Sequence, residues 1–140
     1  MDPVDVDLVD AVALTRALSD IDSTTGRERE AGTLLAAILR GKGYDVEEQP
    51  IGDGRFNVFA TLGPRPQVVF STHYDCVPPF FPTRVENGML FGRGVCDAKG
   101  ILAAQIVALS DASVAEKMKG HKEKLAKGVE EKSRKLREGK

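Results

Sequence analysis

Cysteine is scarce in this chain, tryptophan is missing, and aromatic residues make up only 6% of its 140 positions. Two cysteines, Cys76 and Cys96, are too few for a disulfide framework, and without a CxxC pair no structural zinc knuckle is expected. Both read instead as small buried hydrophobes. Nowhere do apolar residues run for the roughly 18 positions that a membrane-spanning helix needs, so no membrane partner is expected. The opening "MDPVDVDLVD" is acidic where a secretion signal is basic and then apolar, which makes a cytoplasmic location the expectation. Internal repeats are also missing. What is present, at 41% hydrophobic content, suits one soluble domain with a core of moderate size.

The net charge of −1 hides an asymmetry. Residues 1–112 carry 10 Lys and Arg against 16 Asp and Glu, or −6, whereas residues 113–140 carry 10 against 5, or +5. Two regions follow: a first one over 1–112 with alternating helical and strand-like patterns, and a lysine-rich tail over 113–140.

Within the first region, "DVDLVDAVALTRALSD" places Leu8, Ala11, Val12, Leu14 and Leu18 at helical spacing, with an Asp to cap the start. "STTGREREAGTLLAAILRGKG" predicts a second helix, with a Ser or Thr cap ahead of Glu28 and Gly41 and Gly43 closing it. "YDVEEQPI" and "FNVFATLG" read as strands joined by the turn "GDGR". "QVVFS" is a short apolar run of the kind found at the centre of a sheet covered on both faces. Asn87-Gly88 in "TRVENGMLFG" signals a hairpin, and the alanine-rich "AKGILAAQIVALSD" predicts a helix lying against the sheet. Helices flanking strands in this order argue for an α/β layer architecture.

Two stretches carry chemistry. "STHYDCVPPF", Ser71 to Phe80, ends the apolar run with His73 and Asp75, which share a face if the chain stays extended. A carboxylate that orients an imidazole fixes its tautomer and makes it a better metal ligand. Alone, such a histidine is more often a satisfied polar residue at a strand end. "LFGRGVCDAKGILAAQ" places Asp97 after a turn and before a helix, where it suits a bridge between two divalent cations but equally a helix N-cap.

Together the two stretches resemble the signature motifs of the dinuclear zinc amidohydrolase and exopeptidase family of acetylornithine deacetylase, succinyl-diaminopimelate desuccinylase, aminoacylase and carboxypeptidase G. The matching positions are His73, Asp75, Val77, Pro78, Gly92, Arg93, Gly94, Asp97, Lys99 and Gly100, and upstream "STTGRERE" and "RFNVFATLG" extend the likeness to about residues 5–112. The resemblance implies an α/β fold, a partial zinc-exopeptidase-like sheet covered by helices with a charged C-terminal helical tail. It implies His73 as a terminal ligand of one zinc, Asp97 as the carboxylate bridging two zinc ions, with cobalt able to substitute, and Asp75 as the residue that orients His73. Arg93 and Lys99 are expected in salt bridges or turn contacts at the crevice rim, and Gly92, Gly94 and Gly100 in tight backbone paths. The implied chemistry is hydrolysis of an amide in an N-acyl amino acid or short peptide, with zinc polarising the carbonyl and a glutamate accepting a proton from water.

Past the second motif the family supplies an adjacent Glu-Glu pair, a later acidic ligand and a final histidine, together with an inserted smaller domain. Glu130 and Glu131 lie 33 and 34 residues after Asp97, close to the family spacing, and are candidates for general base and metal ligand respectively. Their lysine-rich surroundings favour a solvated helix face instead, and His121 reads the same way. The tail is expected to be a helix with Glu-to-Lys pairs such as Glu131 to Lys135, weakened by Gly120 and Gly128. Its narrow apolar stripe of Met118, Leu125, Val129 and Leu136 suits sheet surface or a second copy in a homodimer. Nucleic acid is not expected as a partner, because no aromatic interleaves with the lysines. The alternatives to an amidohydrolase are therefore a catalytically incomplete fragment and an interaction module built on the basic amphipathic helix.

Overall fold

The structure, a computed structural model, describes residues 10–66, 69–109 and 111–138. Among the described residues, four helices and two small antiparallel sheets give a mixed α/β architecture, in the order α1 (Ala11–Ser19), α2 (Arg29–Gly41), β1 (Asp45–Gly52), β2 (Arg55–Thr61), β3 (Arg84–Glu86), β4 (Met89–Phe91), α3 (Lys99–Ala108) and α4 (Ala112–Arg137). The expected beginning of the first helix at Leu8 lies outside the described residues. Asp10 caps α1, its carboxylate accepting from the Val12 amide at 2.8 Å.

Both hairpins follow from an acidic or amide residue ahead of glycine. Asp53 and Gly54 turn β1 into β2, and Asn87 and Gly88 turn β3 into β4, all four at positive φ, as a two-residue turn matched to strand twist requires. In the first sheet Glu47 faces Phe59 and Gln49 faces Asn57, with an irregularity between Pro50 and Gly52.

Helix α2 packs on β1 and β2, while α1 packs on α3 and more lightly on α2. Leu14, Leu18, Leu35, Ile38, Leu39, Leu102, Ala103, Ile106 and Val107 form the core, with Val46, Val58 and Ala60 of the sheet packed against it. Full burial of a leucine such as Leu14 or Leu18 contributes about 1.5–3 kcal/mol.

Four expectations are corrected here. The central strand "QVVFS" is not formed: Gln67 and Val68 lie outside the described residues, Val69–Ser71 have no strand structure, and Val69 is 83% exposed. The physical reason is the lack of a neighbour, because β1 and β2 pair only with each other, as do β3 and β4, among the described residues. An open groove of about 1020 Å³ lies instead between β2 and α3, lined by Phe56, Val58, Phe70, Tyr74, Leu102 and Ile106. Helix α3 consequently rests on α1 and α4 rather than on a strand. At α2, the N-cap is Glu28 with no side-chain capping bond; the Ser23 hydroxyl donates to the Tyr74 carbonyl and the Thr24 hydroxyl to Asp22, and Glu28 Oε1 accepts from the Gly26 amide at 2.8 Å. Cys76 is buried as expected, but Cys96 is exposed, because it sits in the turn segment between β4 and α3.

The lysine-rich tail is helical over 26 residues, capped by Asp111 through the Ser113 amide at 2.8 Å, and buries none of its side chains. The composition change at residue 113 falls just inside its first turn. No described helix is long and apolar enough to cross a membrane.

Candidate metal centre

The chain from Ser71 to Pro82 has no regular strand; Cys76 makes one parallel bridge, with Thr24 just past the end of α1, before the chain bends at Pro78 and Pro79. Extended backbone alternates its side chains. Tyr74 and Cys76 point inward: the Tyr74 hydroxyl donates to the Phe56 carbonyl in a short hydrogen bond, and Cys76 makes an isolated parallel bridge with Thr24. His73 and Asp75 therefore share the outward side, where His73 Nδ1 lies 3.1 Å from Asp75 Oδ1 and 3.2 Å from the Asp75 carbonyl.

The turn after β4 delivers the third group. His73 Nε2 lies 3.0 Å from Asp97 Oδ1, so the imidazole is held between two carboxylates, one at each ring nitrogen. All three side chains are accessible, at 48% for His73, 47% for Asp75 and 85% for Asp97. Partial burial is the largest single influence on the His73 ring and pulls its pKa down. The hydrogen bonds to the Asp75 carbonyl and Asp97, with the charges of both aspartates, outweigh it and hold the ring above its ordinary 6.5.

His73 and Asp75 also line the groove between β2 and α3. Arg93 makes the turn contact expected of it, donating through Nε to the Pro79 carbonyl at 3.0 Å and stacking over Phe81 at 4.9 Å. Lys99 departs from expectation. It is wholly buried rather than at a rim, and its ammonium donates to the carbonyls of Leu18 at 2.8 Å and Ile21 at 3.2 Å. Burial lowers its pKa against the opposing charges of Cys76, Asp22 and Asp20. Ser23, read from the sequence as a possible cap of α2, instead donates its buried hydroxyl to the Tyr74 carbonyl at 2.7 Å. For the burial of Lys99 the one available signal was a charged residue at the start of an otherwise apolar helix.

Glu130 and Glu131 lie on exposed α4, which packs only on α3 among the described elements. Glu131 is paired with Lys135 at 3.0 Å. The structure does not bring either glutamate into hydrogen-bond contact with His73, Asp75 or Asp97, and His121 is exposed on the same helix.

Whether these residues fit zinc is decided by donor type and spacing. Imidazole nitrogen and carboxylate oxygen are both zinc ligands at about 2.0–2.1 Å, which puts two of them about 3.3 Å apart on a tetrahedral ion. The observed 3.0 Å needs to open by only a few tenths of an ångström. The number of donors falls short, since no group of three or more His, Cys, Asp or Glu able to hold a metal is present among the described residues. His73 and Asp97 are thus a fitting pair of ligands within an incomplete set.

An outward histidine held between two aspartates thus stands beside an open groove on an α/β scaffold. Residues 69–139 match the model of Peptidase family M20/M25/M40, and the chain belongs to that family. The matched span continues through α4, beyond residue 112 where the motif likeness stops. Among curated proteins the chain is similar to a probable carboxypeptidase of Aspergillus clavatus, 38% identical over 109 residues that cover 67% of this chain and 26% of that protein. A probable carboxypeptidase of Aspergillus terreus is 39% identical over 111 residues, covering 69% and 26% respectively. A peptidase M20 domain-containing protein of Schizosaccharomyces pombe is 39% identical over 103 residues, covering 70% and 26%. The chain thus spans about a quarter of the length of these relatives.

Proposed function

We propose that this chain supplies the His73–Asp97 part of a zinc centre that hydrolyses an amide bond in a peptide or N-acyl amino acid. The observation that carries the reading is the imidazole of His73 clamped between Asp75 at Nδ1 and Asp97 at Nε2. In that reading His73 and Asp97 are ligands and Asp75 orients the ring, keeping Nε2 the nitrogen that faces the metal. Bound zinc supplies Lewis-acid polarisation of a carbonyl and a lowered pKa for water. The groove beside His73 is the place for the substrate, its apolar lining suited to a side chain and its mouth open to solvent. The similarity to probable carboxypeptidases favours a terminal peptide bond as the one cleaved.

Calorimetric titration of zinc into the 140-residue chain tests this, with Asp97→Ala as control. Saturable binding that the substitution abolishes is expected. Binding indifferent to Asp97, or none at all, refutes the assignment.

A further inference from the structure

We propose that Ser23 and Lys99 are positioning residues which set the separation of His73 and Asp97 through one shared strut, the backbone from Leu18 to Thr25. The proposal rests on the metal-pair reading above and adds what holds that pair together.

Each motif hangs from the strut independently. On the His73 side, the Ser23 hydroxyl donates to the carbonyl of Tyr74, the residue between His73 and Asp75. The Cys76 amide donates to the Ser23 carbonyl at 3.0 Å, and the Thr25 amide to the Cys76 carbonyl at 3.3 Å. On the Asp97 side, the ammonium of Lys99, two residues on, reaches back to the Leu18 and Ile21 carbonyls. The two motifs also touch directly at the solvent side, through His73 Nε2 and Asp97 Oδ1 at 3.0 Å and, past Val77, through the Arg93 amide to the Phe81 carbonyl at 3.3 Å and Arg93 Nε to the Pro79 carbonyl at 3.0 Å. The strut is the buried backing common to both motifs, and it is itself internally braced where Asp22 accepts from the Thr24 amide at 3.0 Å and the Thr24 hydroxyl at 2.8 Å.

The competing account is that Lys99 only caps α1, whose last carbonyls need donors. A cap alone does not require the ammonium to span to Ile21 beyond the helix, nor Ser23 to take the Tyr74 carbonyl a few residues further on. The two contacts also differ in reach: 78 and 81 residues separate Lys99 from its acceptors, and 51 separate Ser23 from Tyr74. Three segments distant in the chain meet at this one turn.

The test uses the whole 140-residue chain as Ser23→Ala, Lys99→Met and, as a control for lost stability away from the strut, Ile38→Ala. The first readout needs no metal: the ring nitrogen chemical shifts of His73, which report its contacts with Asp75 and Asp97. The second is Co²⁺ titration followed by its visible absorption, the band shape reporting ligand geometry. The expected result is displaced His73 ring signals, a changed Co²⁺ band and about 10- to 100-fold weaker Co²⁺ binding in the two strut variants. Ile38→Ala should keep wild-type ring shifts and Co²⁺ affinity despite its lower stability. Unchanged ring shifts in Ser23→Ala and Lys99→Met, with stability reduced as in the control, overturn the proposal and leave both residues as supports of the fold. Should Lys99→Met not fold, Ser23→Ala decides alone. A wild-type chain that binds no Co²⁺ refutes the metal reading, and the ring shifts still decide the strut.

Discussion

Gly100→Ala is a test in which two ordinary rules predict opposite signs. Replacing glycine by alanine inside a helix normally stabilises it, by up to about 1 kcal/mol. Gly100 stands in the first turn of α3, and a Cβ placed there lies 2.2 Å from the Val95 carbonyl oxygen. An unstrained carbon–oxygen contact is about 3.3 Å, so the turn or the helix must give by about 1 Å. The neighbour is backbone and has no rotamer to escape into. The helix cannot slide either, since the buried Lys99 ties its start to the end of α1. Overpacking of this kind costs about 1–3 kcal/mol, and a backbone clash belongs at the upper end. The net is a loss of about 2 kcal/mol, or about 6 °C in Tm for a domain of this size. Urea unfolding followed by circular dichroism measures it, with m unchanged if the native compactness is kept. Gly128→Ala is the internal comparison, because no atom lies within 4 Å of its added Cβ, and it should stabilise α4 by about 0.5–1 kcal/mol. Gly100→Ala as stable as the parent, or more so, refutes the close approach of Val95 to α3.

Leu14→Ala, at a position with no exposure, should cost about 2–5 kcal/mol, and an unfolding midpoint near the parent's would mean that the α1–α3 contact is not a packed core. Hydrogen bonds from the Ser113 side chain, then from the Ser113 and Val114 amides, hold the Asp111 carboxyl below its ordinary 3.8. Its stabilising contribution is thus complete above the unfolded value and is lost as pH falls through the lower folded one, so part of the helicity of α4 should melt out below pH 3.8. Asp111→Asn keeps a capping side chain but should abolish that pH-dependent component, measured by ellipticity at fixed ionic strength; a retained component assigns it to other groups. The double substitution Glu130→Gln, Glu131→Gln should leave zinc affinity within about twofold of the parent, since Glu131 is engaged with Lys135 on an exposed helix face, where an i,i+4 pair is worth about 0.3–0.5 kcal/mol. Loss of zinc in the calorimeter would instead establish the pair as part of the centre.

Legibility in the sequence followed the range of the interaction. Asp53-Gly54 and Asn87-Gly88 specify their hairpins from within two residues, so the turns are readable from the chain alone. Helical spacing in α1, α2 and α3 needs a window of a dozen residues, and it too is visible. "QVVFS" has the composition of a central strand, but pairing is a property of two segments, and no neighbour beside Val69–Ser71 exists among the described residues. The outward orientation of His73 and Asp75 together follows from the period of extended chain. Their meeting with Asp97, 24 residues further on, does not: it was expected only through the family resemblance.

Lys99 and Ser23 show why that limit is physical. Their partners are main-chain carbonyls of Leu18, Ile21 and Tyr74, and every residue carries a carbonyl, so nothing in the acceptors' side chains marks them. Only the donor side is conspicuous. An ammonium opening an apolar helix must either reach solvent or find oxygen inside, because leaving it buried and unpaired is too costly to persist. In α3 the surrounding Leu102, Ala103 and Ile106 are buried, which removes solvent as the option and makes distant backbone the remaining acceptor. The lysine expected, with the family resemblance, at a crevice rim is therefore the residue that ties the start of α3, two residues after Asp97, to the end of α1.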